Sequence, residues 1–294
     1  MNTITITSEK EGFIKQIHFN LWDSKKNKLK FLDIGILCKN DADVIKIQLP
    51  DSSNSLEFRD LSEKLIKNIP NAIFNESVEV IEKNNIKIFK INSATNKKDF
   101  ILSPLDFSIC NKGNGKIVIP VEKENLLGEK YGIENKYYRF RILFPDFSSV
   151  IVERASQGNS FESSFSSCKI IDFRLNDSKL LSASDTKKLV RNSYCFEKVH
   201  FLYISDIDEN IQLASDKYSS RFLERGVWDD YLDLKKKKSE MIAYHLKAEN
   251  SFCPSFLFKC QYNKTSLLHL LIYAGIVVAL AVLANCFTRL FFHL

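Results

Sequence analysis

The chain has 294 residues, of which 45% are hydrophobic and 12% aromatic, enough to bury a packed core, so a disordered chain is excluded. A formal net charge of +6 is a mild basic bias that suits anionic lipid headgroups better than strong nucleic-acid binding, and nucleic acid is not an expected partner. Seven cysteines, odd in number and without a CxxC pair, exclude a disulfide framework and read as reduced thiols.

Residues 1–13 have neither the basic start nor the apolar core of a secretory signal, so none is expected. Residues 14–21 alternate like a half-buried strand, and 29–37 with 44–49 read as a hairpin across the polar turn at 39–43. A short helix is predicted over 60–69, with Asp60 as its cap, Glu63 three residues on and Pro70 ending it. Residues 78–81 and 86–91 make a second hairpin through Asn84 and Asn85. More strands are predicted at 100–102, 116–121, 137–144, 149–153, 168–175 and 199–204. Strands at such short intervals, with one short helix among them, predict a mainly β domain of sandwich or barrel-like form. Charged residues with Gly128 and Gly132 mark a weak boundary, dividing the region into a β-rich part at 1–125 and a second at 126–212 that belongs to the same domain or a separate one.

From 213 the spacing turns helical. Leu223, Val227, Tyr231 and Leu234 share a face that Met241, Ile242 and Leu246 continue, so 213–265 is expected to be an amphipathic helical linker. Lys235, Lys236, Lys237 and Lys238, with Trp228 nearby, are expected to meet a membrane surface or a partner protein.

Residues 267–287 contain no Asp, Glu, Lys or Arg, and as a helix rising about 1.5 Å per residue they match a hydrocarbon core of roughly 30 Å. Residues 266–288 are therefore predicted to span a membrane, with 289–294 as a short tail. Lys259 and Lys264 precede the span and only Arg289 follows it, so the N-terminal domain is expected on the cytoplasmic side. Lysine far exceeds arginine, and isoleucine and asparagine are frequent, which is compatible with a microbial gene of low GC content; a bacterial inner membrane is expected ahead of a eukaryotic organelle, although the sequence alone does not separate the two. Gly275 and Ala279 form a small-xxx-small pair for close helix packing, while His269 and Asn285 are placed to bond between helices near the ends of the span. The expected partners are the bilayer and either a second protein or further copies of the chain.

Chemistry is harder to find. Asp206 and Asp208 follow the apolar strand at 199–204 and, with His200, are the candidate catalytic residues; paired carboxylates at a strand end hold hard cations. A calcium loop would need Gly at Ile211 and Glu at Lys217, so neither a metal nor another cofactor is expected. Residues 111–116 have the glycines of a phosphate loop but Ile117 in place of its Ser or Thr, and read as a hairpin turn. Ser160 lies in a weak nucleophile-elbow pattern that Glu162 breaks, and Asp146 with Glu153 lacks the lysine a nuclease needs at Ala155. His18, His200 and His245 read as separate structural histidines, and Cys253 with Cys260 fits no zinc spacing.

The function expected is that of a C-terminally anchored membrane protein whose cytoplasmic β-rich domain binds a partner or ligand and couples it to the membrane. It would act as an adaptor, or as a membrane effector of the kind used in microbial defence. The alternatives are a membrane-tethered metal-dependent hydrolase or nucleotide-processing enzyme using Asp206 and Asp208, and a structural tether of a larger assembly.

Overall fold

The computed structural model describes residues 3–292 apart from 51–55, 66–67, 75, 84–85, 93–96, 114, 125–131, 144–149, 156–165, 181–194, 214–217, 225, 235–239 and 264–266. Strands dominate: β1 Thr5–Thr7, β2 Ile14–Ser24, β3 Leu29–Lys39, β4 Asp43–Gln48 and β5 Glu57–Asp60 precede a short helix, α1, at Ile69–Phe74. There follow β6 Val78–Lys83, β7 Ile86–Asn92, β8 Lys97–Leu102, β9 Asn111–Gly113, β10 Lys116–Val121, β11 Asn135–Leu143, β12 Ile151–Ala155 and β13 Ser166–Arg174. The last part holds β14 Phe196–Asp206, β15 Asn210–Leu213, β16 Tyr218–Phe222, helix α2 Val227–Leu232, β17 Met241–Ser251, β18 Ser255–Asn263 and the long helix α3 Leu267–Phe292.

A ten-stranded sheet forms the centre, in the order β16-β17-β14-β2-β3-β11-β8-β7-β6, with β5 also pairing β11. Pairing is antiparallel except where β14 lies along β2 and β8 along β11. Two four-stranded sheets, β1-β4-β10-β9 and β12-β13-β18-β15, contribute to a core with one face of the central sheet: Ile17, Phe19, Ile34, Phe140 and Phe201 meet Ile6, Ile45, Ile117, Ile171 and Phe258. Each such fully buried side chain contributes about 1.5–3 kcal/mol by leaving water. On the opposite face Trp22, Tyr137 and Ile204 pack with α1 and α2 through Ile69, Ile73, Trp228 and Tyr231.

The mainly β architecture read from the sequence is the one observed, and strands from both sides of the 125/126 boundary pair in the central sheet, as β11 does with β3 and β8. Three local expectations are corrected. First, 29–37 and 44–49 do not form a hairpin: β3 pairs β2 and β11, whereas β4 joins β1 and β10 and turns Ile45 and Ile47 into the core. Second, no helix fills 60–69. Asp60 ends β5 and accepts the Ser62 N–H where a single tight turn, Ser62–Lys64, begins, and Pro70 lies in the first turn of α1, where its missing N–H costs nothing. Third, the helical linker at 213–265 shrinks to α2. Gly226 starts that helix at φ 77 and Trp228, Tyr231 and Leu232 are buried, as the spacing required, but 241–251 and 255–263 are strands. In β17 both Met241 and Leu246 are buried because they face the two opposite covered sides of the sheet, and that mimics a helical stripe.

Residues 270–289 of α3, with mean hydropathy 2.5, are long and apolar enough to cross a membrane, and none of that window is buried against the rest of the chain. Among the described residues the chain therefore carries one candidate span beside a β-rich domain, as a single-pass membrane protein would.

Candidate functional site

The alternate residues of β2 and β3 that look solvent-facing in the sequence lie under α1 and α2. In register across the sheet, Arg139 pairs with Gly35, Gly35 with His18, and His18 with His200. The next row brings Arg141 to Asp33, Asp33 to Asn20, Asn20 to Leu202 and Leu202 to His245. Period-two alternation makes all the polar members of both rows share one face.

Asp33 is fully buried and takes four donors: Arg141 Nε at 2.7 Å and Nη2 at 3.1 Å, Trp22 Nε1 at 2.9 Å and the Tyr231 hydroxyl at 2.9 Å. Tyr231 in turn accepts Arg139 Nε at 2.8 Å, and Arg139 Nη1 donates to the Tyr137 hydroxyl at 3.2 Å. Because that hydroxyl already accepts from Arg139, its proton is free to point at His18 Nδ1, 3.2 Å away, so neutral His18 is the acceptor. The His18 and His200 rings stand 4.8 Å apart, and His200 Nδ1 lies 2.9 Å from His245 Nε2. The result is a continuous polar file from half-buried His245 to the Asp33–Arg141 pair.

Burial works against the Arg139 charge, but the oxygens of Tyr231 and Tyr137 and the nearby Asp33 carboxylate outweigh it, and the guanidinium is held firmly protonated. Burial pushes His18 well below the usual imidazole range and, with His245 and Lys247 nearby, takes His200 down to about 3. His245 is lowered by burial and by Arg221 and Lys247. All three histidines are thus neutral at pH 7. Arg139 Nη2 and Asn20 Oδ1, a buried donor and a buried acceptor, are left without a partner in this layer.

A second charged cluster lies between the central sheet and the β12-β13-β18-β15 sheet. Lys169, fully buried, donates to Asp23 at 2.8 Å and Glu209 at 2.6 Å; the Tyr203 hydroxyl lies 3.0 Å from Asp23 and 3.2 Å from Glu209; and Cys260 Sγ is 3.1 Å from Glu209. Burial opposes the Lys169 charge, yet Asp23 and Glu209 raise its pKa, while burial and Glu209 raise that of the Cys260 thiol. A lysine kept protonated and a thiol kept neutral are poor nucleophiles, so this cluster clasps sheets rather than attacking a substrate. Lys25 extends it, donating to Tyr262 at 2.6 Å and to Glu153 at 3.3 Å.

The residues singled out from the sequence are placed as follows. Asp206 is buried and accepts from Ser24 Oγ at 2.5 Å and the Lys26 N–H at 3.1 Å, so it braces the β2–β3 turn. Asp208 points outward to Lys26 at 2.9 Å, and the two carboxylates share no site. Among the described residues no group of three or more His, Cys, Asp or Glu side chains is arranged to hold a metal. His200 does join a cluster, with His18 and His245, that their separation in sequence concealed. Trp228, expected at a membrane or partner surface, is corrected to a core residue: it packs on Trp22 with ring centroids 5.5 Å apart. Lys235, Lys236, Lys237 and Lys238 lie outside the described residues, as do Asp146 and Ser160. Gly275, Ala279 and Asn285 are on α3, exposed, and His269 is in its first turn. Residues 111–113 and 116–118 form the expected hairpin, with Gly115 at φ 71, and all seven cysteines are free.

No protein-family model and no curated protein matches the chain. Among solved structures, the crystal structure of an M1 zinc metallopeptidase from Deinococcus radiodurans is similar with a TM-score of 0.27 and 7% identity over 85% of this chain. The match spans 42% of that protein's length, and a likeness so loose tells nothing of fold or chemistry.

Proposed function

We propose that the protein is a membrane-anchored binding module: its β-rich domain, on the cytoplasmic side, takes a partner or ligand and passes that event to α3, without catalysing a reaction. The observation that supports this most is how β18 is held. Its Cys260 and Tyr262 side chains are tied into the Lys169 and Lys25 clusters, so the strand that enters the anchor is fixed to β2 at the centre of the domain. Residues 264–266 alone separate β18 from α3. A displacement of the central strands would therefore reach the anchor with little slack.

On α3 the Gly275 and Ala279 pair leaves a shallow face, and nothing lies within 4 Å of where a Gly275 side chain would start. Two copies can approach closely there. Clustering in the plane of the membrane is the output this face supports, as an adaptor or bilayer effector requires. The expected result is that the full-length protein in lipid discs has the mass of an oligomer, and that Gly275→Leu with Ala279→Leu reduces it to a monomer. A wild-type monomer, or an oligomer indifferent to both substitutions, would refute clustering through this face.

A further inference from the structure

The far end of β2 from the anchor carries a cleft of about 460 Å³ lined by Lys15, Lys39, Asn40, Asp41, Lys123, Gly132, Ile133 and Glu134. We propose that this cleft binds a soluble, phosphate-bearing small molecule of nucleotide size. The proposal rests on the reading of the chain as a ligand-taking module and supplies the class of ligand.

Three features argue for a built site. The β2–β3 ladder runs regularly from Ser24 opposite Leu29 until the register shifts between Gln16 and Ile14, which face the consecutive residues Leu37 and Cys38; Lys15 is the extra residue of a β-bulge. A bulge re-aims the side chain it carries, here into the cleft. Next, Asn40 is spent entirely on position: its Nδ2 donates to the carbonyls of Glu124 at 3.1 Å and Ile133 at 3.4 Å, its Oδ1 accepts the Glu124 N–H at 2.9 Å, and its own N–H donates to the Glu134 carbonyl at 2.7 Å. That clamp fixes the backbone that follows Lys39 against the backbone that follows Lys123, and both lysines line the cleft. Finally, among the described residues none of the three lysines has a carboxylate within ion-pair distance, while Asp41 is already occupied by Lys10 at 2.7 Å. Three ammonium groups face two carboxylates in this concavity, and Asp41, which also feels Lys123, is already paired with Lys10, so the lining keeps a positive excess that suits an anion; lysine is a habitual phosphate ligand. The volume lies within the range of small-molecule sites.

Position favours a soluble ligand over a lipid headgroup. Lys25, next to the other end of β2, bonds to Tyr262 near the end of β18, the strand that leads to α3. From Lys15 to Ser24 the strand extends about 30 Å at roughly 3.3 Å per residue, so the cleft lies at the opposite end of β2 from that bond.

The experiment uses full-length protein in discs of uncharged phosphatidylcholine, with ATP and inorganic pyrophosphate as probes, binding followed by equilibrium dialysis at low salt. The expected result is saturable binding that salt weakens, that falls by about tenfold or more in Lys15→Gln/Lys39→Gln/Lys123→Gln, and that stays within about threefold in the matching arginine variant. Absence of binding by both probes, or equal binding in the glutamine variant, would overturn the proposal. So would a lysine-dependent gain found only with vesicles containing phosphatidylinositol 4-phosphate, which would assign the cleft to a lipid headgroup. Mass measured in the same discs reads the coupling separately: lysine-dependent binding with no change of mass upholds the cleft and counts against the passing of that binding event to α3.

Discussion

Gly35 shows what one absent methyl group makes possible. A Cβ on this residue would stand 2.0 Å from the Tyr137 oxygen and 3.2 Å from Arg139 Nη1. The glycine therefore leaves the room in which a phenol and a guanidinium lie across the sheet, and its neighbours in the ladder, His18 and Arg139, are bridged there by the Tyr137 hydroxyl. Both sides of the position are buried, so relaxation is hindered on either face. Gly35→Ala is expected to destabilise the protein by about 1–3 kcal/mol, the usual cost of overpacking, read as a lower denaturant midpoint at unchanged slope. A midpoint equal to wild type would show that the network tolerates displacement. Nothing in the run from Leu29 to Leu37 marks Gly35 in advance, since an isolated glycine in a strand is equally compatible with a bulge.

At the scale of elements, the strands of the core were legible because their apolar residues recur with period two: Ile17, Phe19 and Leu21, or Val199, Phe201 and Tyr203, announce strands without help. What periodicity cannot show is whether the other side of a strand is covered. His18, Asn20, Asp33 and Arg139 read as a wet face, yet α1 and α2 close over them, and the long sequence separation of His18, His200 and His245 hides the file that the sheet assembles. β17 failed for the same reason, with apolar residues on two buried faces. Lys169 was equally silent, one lysine among many, although it joins β13 to β2 and thereby fixes β18. Lys169→Met is expected to cost about 3–5 kcal/mol, because it leaves Asp23 and Glu209 facing each other without a cation. Combining it with Asp23→Asn and Glu209→Gln should recover much of that loss in chemical unfolding; no recovery would mean that packing, not charge, is what Lys169 supplies.

For the whole molecule, the neutral histidines impose a dependence on acid. Their folded pKa values lie below the unfolded value of about 6.5, so below that pH the unfolded chain takes up protons that the folded one refuses. Stability is full above pH 6.5 and falls as the pH drops toward about 3, where His200 itself protonates. The neighbouring cations Arg139, Lys198, Lys247 and Arg221 act in the same direction, whereas Glu209, raised chiefly by burial, acts in the opposite one. Melting temperature is expected to fall between pH 7 and 5, and more steeply in wild type than in His200→Gln; equal slopes would remove His200 from the account. The parallel pairing of β14 with β2 has another consequence, in the order of events during folding. β2 ends at Ser24 and its neighbour starts at Phe196, so the middle of the central sheet stays open until most of the β-rich region has been made. Loop closure over such a separation is slow, and meanwhile β2 offers an unpaired edge with large side chains on both faces. The strand that organises the finished protein is, until its late partner docks, the one most open to sticking to another chain.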